Sequence, residues 1–111
     1  MFYINPNEFK HSVTFQRYTL IGKDDDGRPK YCWIDLYTTR AKILNVRGSE
    51  FTQAYGAGIK LEKTVYTRYN HSVMVSSEDR LVYDNVEYNI VYVNDVGNEK
   101  KWLEFKLERV R

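Results

Sequence analysis

The chain has 111 residues, 42% hydrophobic and 15% aromatic, with 17 basic and 15 acidic side chains and a formal net charge of +2. That length suits one domain (residues 1–111) with one core, and the hydrophobic share argues against wholesale disorder. No apolar run approaches the roughly 20 residues a membrane-spanning helix needs, and the N-terminal residues lack the basic and apolar regions of a signal peptide, so no membrane partner is expected.

Ser12–Leu20 reads as the first strand, with Val13 and Phe15 alternating with Thr14 and Gln16. Gly22–Lys30 follows as a polar loop, in which Gly27 can take a positive φ and Pro29 keeps Arg28 extended. Tyr31–Val46 is one long β-prone run. Its 16 residues exceed the usual strand, so a bend or bulge is expected near Thr38–Arg40. Gly48–Gly58 breaks the pattern: Ser49 is placed to cap a short helix that Gly56 would stop. Two turns are marginal alone, so mobility is expected there until something packs on the segment.

Ile59–Tyr69 resumes alternation, with Ile59, Leu61, Lys63 and Val65 on one face and Lys60, Glu62, Thr64 and Tyr66 on the other. Asn70–Asp79 is a polar connection interrupted by Val73-Met74-Val75. Leu81–Tyr83, Val86–Val93 and Trp102–Val110 then form an antiparallel meander, its turns marked by Asp84-Asn85 and by Asn94–Lys101 with Gly97. The expected fold is all-β: a six-stranded antiparallel barrel or sandwich with at most one short helix and a long internal loop. Its core should contain Val13, Phe15, Trp33, Ile43, Ile90, Leu103, Phe105 and Leu107.

Chemistry is sparse along this chain. His11 and His71 lie sixty residues apart, without a metal-site or general-base spacing. Cys32 is the only cysteine, which excludes an internal disulfide and suits folding in the cytosol. Beside Trp33 in a strand, it reads as a small buried thiol. Asp24-Asp25-Asp26-Gly27 fails as an EF-hand loop: with Gly27 sixth, Gly22 falls first and Trp33 twelfth, so a solvated turn is expected. No phosphate loop or nucleophile elbow is present, so no catalytic residue, metal or cofactor is assigned. Asn70-His71-Ser72 matches a glycosylation sequon, but nothing else in the sequence points to secretion.

Charge is more informative. From Arg40 to Arg68 there are six basic and two acidic residues, a net +4, against −2 for the remainder. Twenty-nine residues can gather such an excess from composition alone. The functional alternative is a lobe that meets a polyanion, most simply DNA.

The order of motifs resembles the head-tail joining (head closure) proteins of tailed bacteriophages. The similarity runs from Phe9-Lys-His-Ser-Val-Thr-Phe-Gln-Arg17 through the Gly27 loop and Trp33 to Ala41-Lys-Ile43 and Gly48-Ser-Glu50. It continues through Lys63–Tyr69 and Arg80–Ile90 and closes at Trp102–Val110. The chain departs from the pattern at Asp84-Asn85, where many members carry a Gly-containing turn, and in its tyrosine-rich second half. The resemblance implies a small β-barrel that is a virion component of a phage or prophage rather than an enzyme. It implies a ring at the head-tail interface, below the portal and its adaptor, assembled in the bacterial host cytoplasm. Such a ring retains packaged double-stranded DNA without sequence specificity and docks a tail or tail-completion protein. Gly48–Lys60 would be the channel loop, with Arg47, Gly48, Tyr55, Gly56, Gly58, Lys60 and Lys63 as its candidate residues. The alternative kept open is a stand-alone nucleic-acid-binding barrel of the OB type, whose exposed aromatics stack bases.

Overall fold

The computed structural model describes residues 5–45 and 61–110, and the chain there is all β apart from two single 3-10 turns. The strands are β1 (His11–Lys23), β2 (Pro29–Asn45), β3 (Leu61–Arg68), β4 (Arg80–Tyr83), β5 (Val86–Asp95) and β6 (Trp102–Arg109). All six expected strands are present. They close into one antiparallel barrel in the order β1-β2-β3-β6-β5-β4. The Gly48–Gly58 segment, with its expected helix and mobility, lies outside the described residues.

Alternation decides which side chains fill the barrel. Val13, Phe15, Ala41, Val65, Leu81, Phe105 and Leu107 are essentially fully buried, joined by Tyr88, Ile90 and Leu103. Phe15 is central, with its ring centroid 4.9 Å from that of Phe105 and 5.0 Å from that of Tyr37. Of the expected core, Ile43 packs against this cluster half-buried. Trp33 does not enter it. The reason is a bulge: Phe15 pairs with Tyr37 and Gln16 with Asp35, so Leu36 is an extra residue on β2. Leu36 and Tyr37 both pack against the core. The bulge reverses the facing of everything before it, so Trp33, paired with Tyr18, lies on the outer face. It falls two residues earlier than the bend expected near Thr38–Arg40.

β3 is covered on both faces. Val65 and Thr67 point inward, while Thr64 and Tyr66, expected on the opposite face, are also buried. Lys106 Nζ donates to Thr64 Oγ1 at 3.0 Å, and Tyr66 donates to Glu104 Oε2 at 2.7 Å. Phe9 packs over Tyr66 from the N-terminal segment and meets the Trp102 ring edge-on at 5.4 Å. That segment turns through a 3-10 piece (Pro6–Glu8) capped by Asn5, and Glu8 forms an ion pair with Lys42.

Candidate functional site

Six of the seven expected channel residues, Arg47, Gly48, Tyr55, Gly56, Gly58 and Lys60, lie outside the described residues. Lys63 is described. It pairs with Leu107 and Asn45, placing it in the same row as inward-facing Val65 and Thr67, at the end where the 46–60 connection leaves the barrel. Its ammonium donates to Asn45 Oδ1 at 2.7 Å. The other described basic residues of the Arg40–Arg68 lobe are elsewhere. Arg40, Lys42 and Arg68 stand on the outer wall, where Arg40 and Arg68 line a groove of about 280 Å³ beside Phe9. Arg40 donates to the Lys10 carbonyl at 3.1 Å, and Arg68 lies over the Trp102 ring at 5.3 Å. The described part of the basic lobe is therefore divided between two surfaces.

A larger feature was not legible as such: a two-stranded arm. β1 pairs with β4 only over Thr14–Gln16, and β2 pairs with β3 only over Ala41–Asn45. Beyond those limits, among the described residues, Arg17–Lys23 and Pro29–Ile34 pair only with each other. Tyr18 stacks on Tyr31 with centroids 5.2 Å apart, and the Trp33 ring, tilted, has its centroid 5.2 Å from that of Tyr18. Tyr18, Leu20, Ile21, Tyr31 and Ile34 are all exposed. Cys32 sits in this arm half-buried rather than buried. At the tip the Asp24 carboxylate is used locally, accepting from the Asp26 and Arg28 N–H groups at 2.9 Å each.

Polar contacts fix the arm at its root. Arg17 donates to both carboxylate oxygens of Asp79, at 2.9 and 3.1 Å, and to the Met74 carbonyl at 2.7 Å. Asp79 is almost wholly buried and also accepts from the Ser76 N–H at 2.9 Å. This bidentate contact raises the Arg17 pKa further above its ordinary value. Gln16 donates to Asp35 at 2.7 Å and accepts from Arg80 at 2.8 Å. The Arg80 guanidinium lies 4.1 Å from the centre of the Trp33 ring and forms an ion pair with Glu87.

The β3–β4 connection crosses the same end of the barrel. Val75 is buried in the core, whereas Met74 is strongly exposed. Beside them Val73, Val93 and Leu103 help to line an apolar cleft of about 240 Å³. Nearby, the Tyr37 hydroxyl is buried without a hydrogen-bond partner among the described residues. Burial, assisted by the Asp79 charge, pushes its pKa up to about 12. The histidines do not converge: His11 Nδ1 is 3.0 Å from the Tyr83 hydroxyl, while His71 packs on Tyr69. Among the described residues no three His, Cys, Asp or Glu side chains gather as a metal site would need.

Two solved structures share this architecture. One is a chain from the virion of a native gene transfer agent particle, with 17% identity, a TM-score of 0.61, and 91% of this chain and 94% of that chain covered. Another is a protein of Shigella flexneri 2a solved in solution, with 19% identity, a TM-score of 0.70, and 96% of each chain covered. At such identities they bear on the fold alone. No curated protein matches the chain in sequence. The family profile for phage head completion proteins does match, over residues 4–110. With the profile spanning every strand of the barrel and the arm, the chain belongs to the phage head completion protein family, whose members are structural components of the phage head.

Proposed function

We propose that this head completion protein acts at the head-tail interface of a tailed phage or prophage particle. It assembles as a ring below the portal and its adaptor, holds packaged DNA in, and presents a surface for a tail or tail-completion protein. Its role is structural and not catalytic. The observation that carries this reading is the family match across residues 4–110. The channel is formed by Arg47, Gly48, Tyr55, Gly56, Gly58 and Lys60, together with Lys63 in the inner row beside that connection. A ring repeats each positive charge around one axis, and non-specific attraction to phosphates grows with every repeat.

The test is complementation of a phage lacking this gene with a Lys60→Glu, Lys63→Glu chain. Lys63 is half-buried at the barrel end, and substitutions away from a core usually change stability by no more than about 0.5 kcal/mol, so the variant should fold. Heads should then lose DNA while the protein still attaches to them. Full infectivity would remove the channel assignment and leave the connector role standing. If the wild-type chain neither joins heads nor restores DNA-filled particles, the connector role itself falls. The OB-type alternative would place bases on Tyr18, Tyr31 and Trp33. The Arg80 guanidinium already lies over the Trp33 ring, and Arg17 and Arg80 are paired with Asp79 and Glu87 rather than free for phosphates, so short single strands should bind the free chain poorly.

A further inference from the structure

We infer that the arm is the joint between copies of this chain: the β1 edge of one arm pairs antiparallel with the β2 edge of the next. The inference rests on the ring proposed above. Among the described residues, both edges of the arm lack a neighbouring strand. The backbone bonds outside the ladders do not reach the edges either, since the two within the arm, Asp24 N–H to the Arg28 carbonyl and Gly27 N–H to the Asp24 carbonyl, close the tip. A two-stranded ribbon with water on both faces is marginal by itself, and an open, flat, apolar edge invites pairing.

The sequence of the arm does little to prevent that pairing. Tyr18–Ile21 and Tyr31–Ile34 contain no charged residue, and Pro29, Lys30 and the Ile21 bulge protect only the part nearest the tip. By contrast, the root is held by charged and stacked groups, Arg17 on Asp79 and Arg80 on Trp33, so the arm keeps a set direction. Edge direction identifies the occupant. β1 runs outward and β2 runs back, so identical arms standing side by side present an outward strand to a returning one. A second copy thus continues the antiparallel ladder without being inverted, and a closed ring leaves no edge open. The exposed Tyr18 and Tyr31 rings, with half-buried Trp33 beside them, would then form one continuous belt on the outer face.

Particles assembled by complementation provide the test. Chains carrying Thr19→Cys or Ile21→Cys, each with Cys32→Ser, are co-assembled with chains that keep Cys32 and then oxidised. A mixed disulfide dimer is expected from at least one pair, and neither chain type alone should give it. Amide exchange in 17–23 and 29–34 should slow at least about tenfold in particles relative to the free chain. A ring visible by electron microscopy whose arms exchange as fast as the free chain overturns the arm joint and leaves the ring reading intact. Protected arms that cross-link only to another virion protein also overturn it, making the occupant a partner's strand. Particles that contain the protein without a ring overturn both.

Discussion

At Phe105 the burial is complete and the ring rests on Phe15. Truncation to Ala should cost about 3–5 kcal/mol in urea unfolding, the range for large core aromatics. This position was readable from the alternation Leu103, Phe105, Leu107 alone. Tyr37 was not, because its buried hydroxyl depends on a bulge that sequence does not display. Tyr37→Phe removes a polar atom that has no partner among the described residues, so stability at neutral pH should be unchanged or higher by up to about 1 kcal/mol. The pH dependence has a defined sign. The folded state holds the Tyr37 proton up to about pH 12, whereas an unfolded tyrosine releases it near 10. Folding therefore keeps its full stability below about pH 10 and loses part of it as pH rises toward 12, where Tyr37→Phe should decline less steeply. Denaturant titrations of both chains across that interval measure the difference. Arg17 acts in the other polar contact at this end. Arg17→Met leaves the Asp79 carboxylate, among the described residues, with the Ser76 N–H alone, and should cost about 1–3 kcal/mol in urea unfolding. Amide exchange at Ser76 should quicken with it.

Between strands, backbone conformation sets the constraint. Asp84 and Asn85 have φ of 53° and 60°, so the β4–β5 connection is a tight hairpin turn with both central residues left-handed. Asn85→Val should cost about 1–2 kcal/mol in urea, since a β-branched side chain resists positive φ, while Asn85→Gly should hold or gain stability. The turn and its flanking strands were legible because Asp-Asn between two β-prone runs has a local physical meaning. Strand positions were legible for the same reason across all six elements. What local pattern could not carry was parity across bulges. Leu36 moves Trp33 outside, and the register shift between Leu61 and Lys63 interrupts the simple two-face reading of β3. Nor could alternation show that Phe9 and Trp102 would cover Tyr66 on the outer wall, because that contact joins residues far apart in sequence. The channel expectation came from the family resemblance, with charge and glycine placement agreeing, and of its residues Lys63 alone is described.

For the molecule as a whole, barrel and arm divide the work. The buried cluster is built from residues within the closed barrel and Val75 of the β3–β4 connection, and no residue beyond Phe15 on β1 or before Leu36 on β2 belongs to it. The arm adds exposed rings and open edges instead. Replacing Thr19–Cys32 with Asn-Gly would join Tyr18 directly to Trp33, a pair already opposed across the ladder, through a two-residue hairpin turn. The core, the Phe15–Tyr37 contact and the Arg17–Asp79 contact all remain in that shortened chain. Its urea unfolding should stay within about 1 kcal/mol of the full chain, because the segment removed is surface without core contacts. Incorporation into particles should fail if the arm joins copies, and DNA-filled heads should fall with it. Stability and assembly thus give separate readouts of one deletion. A shortened chain that unfolds several kcal/mol more easily would mean that the arm supports the barrel. A stable one that still restores infectious particles would mean that assembly relies on the barrel wall.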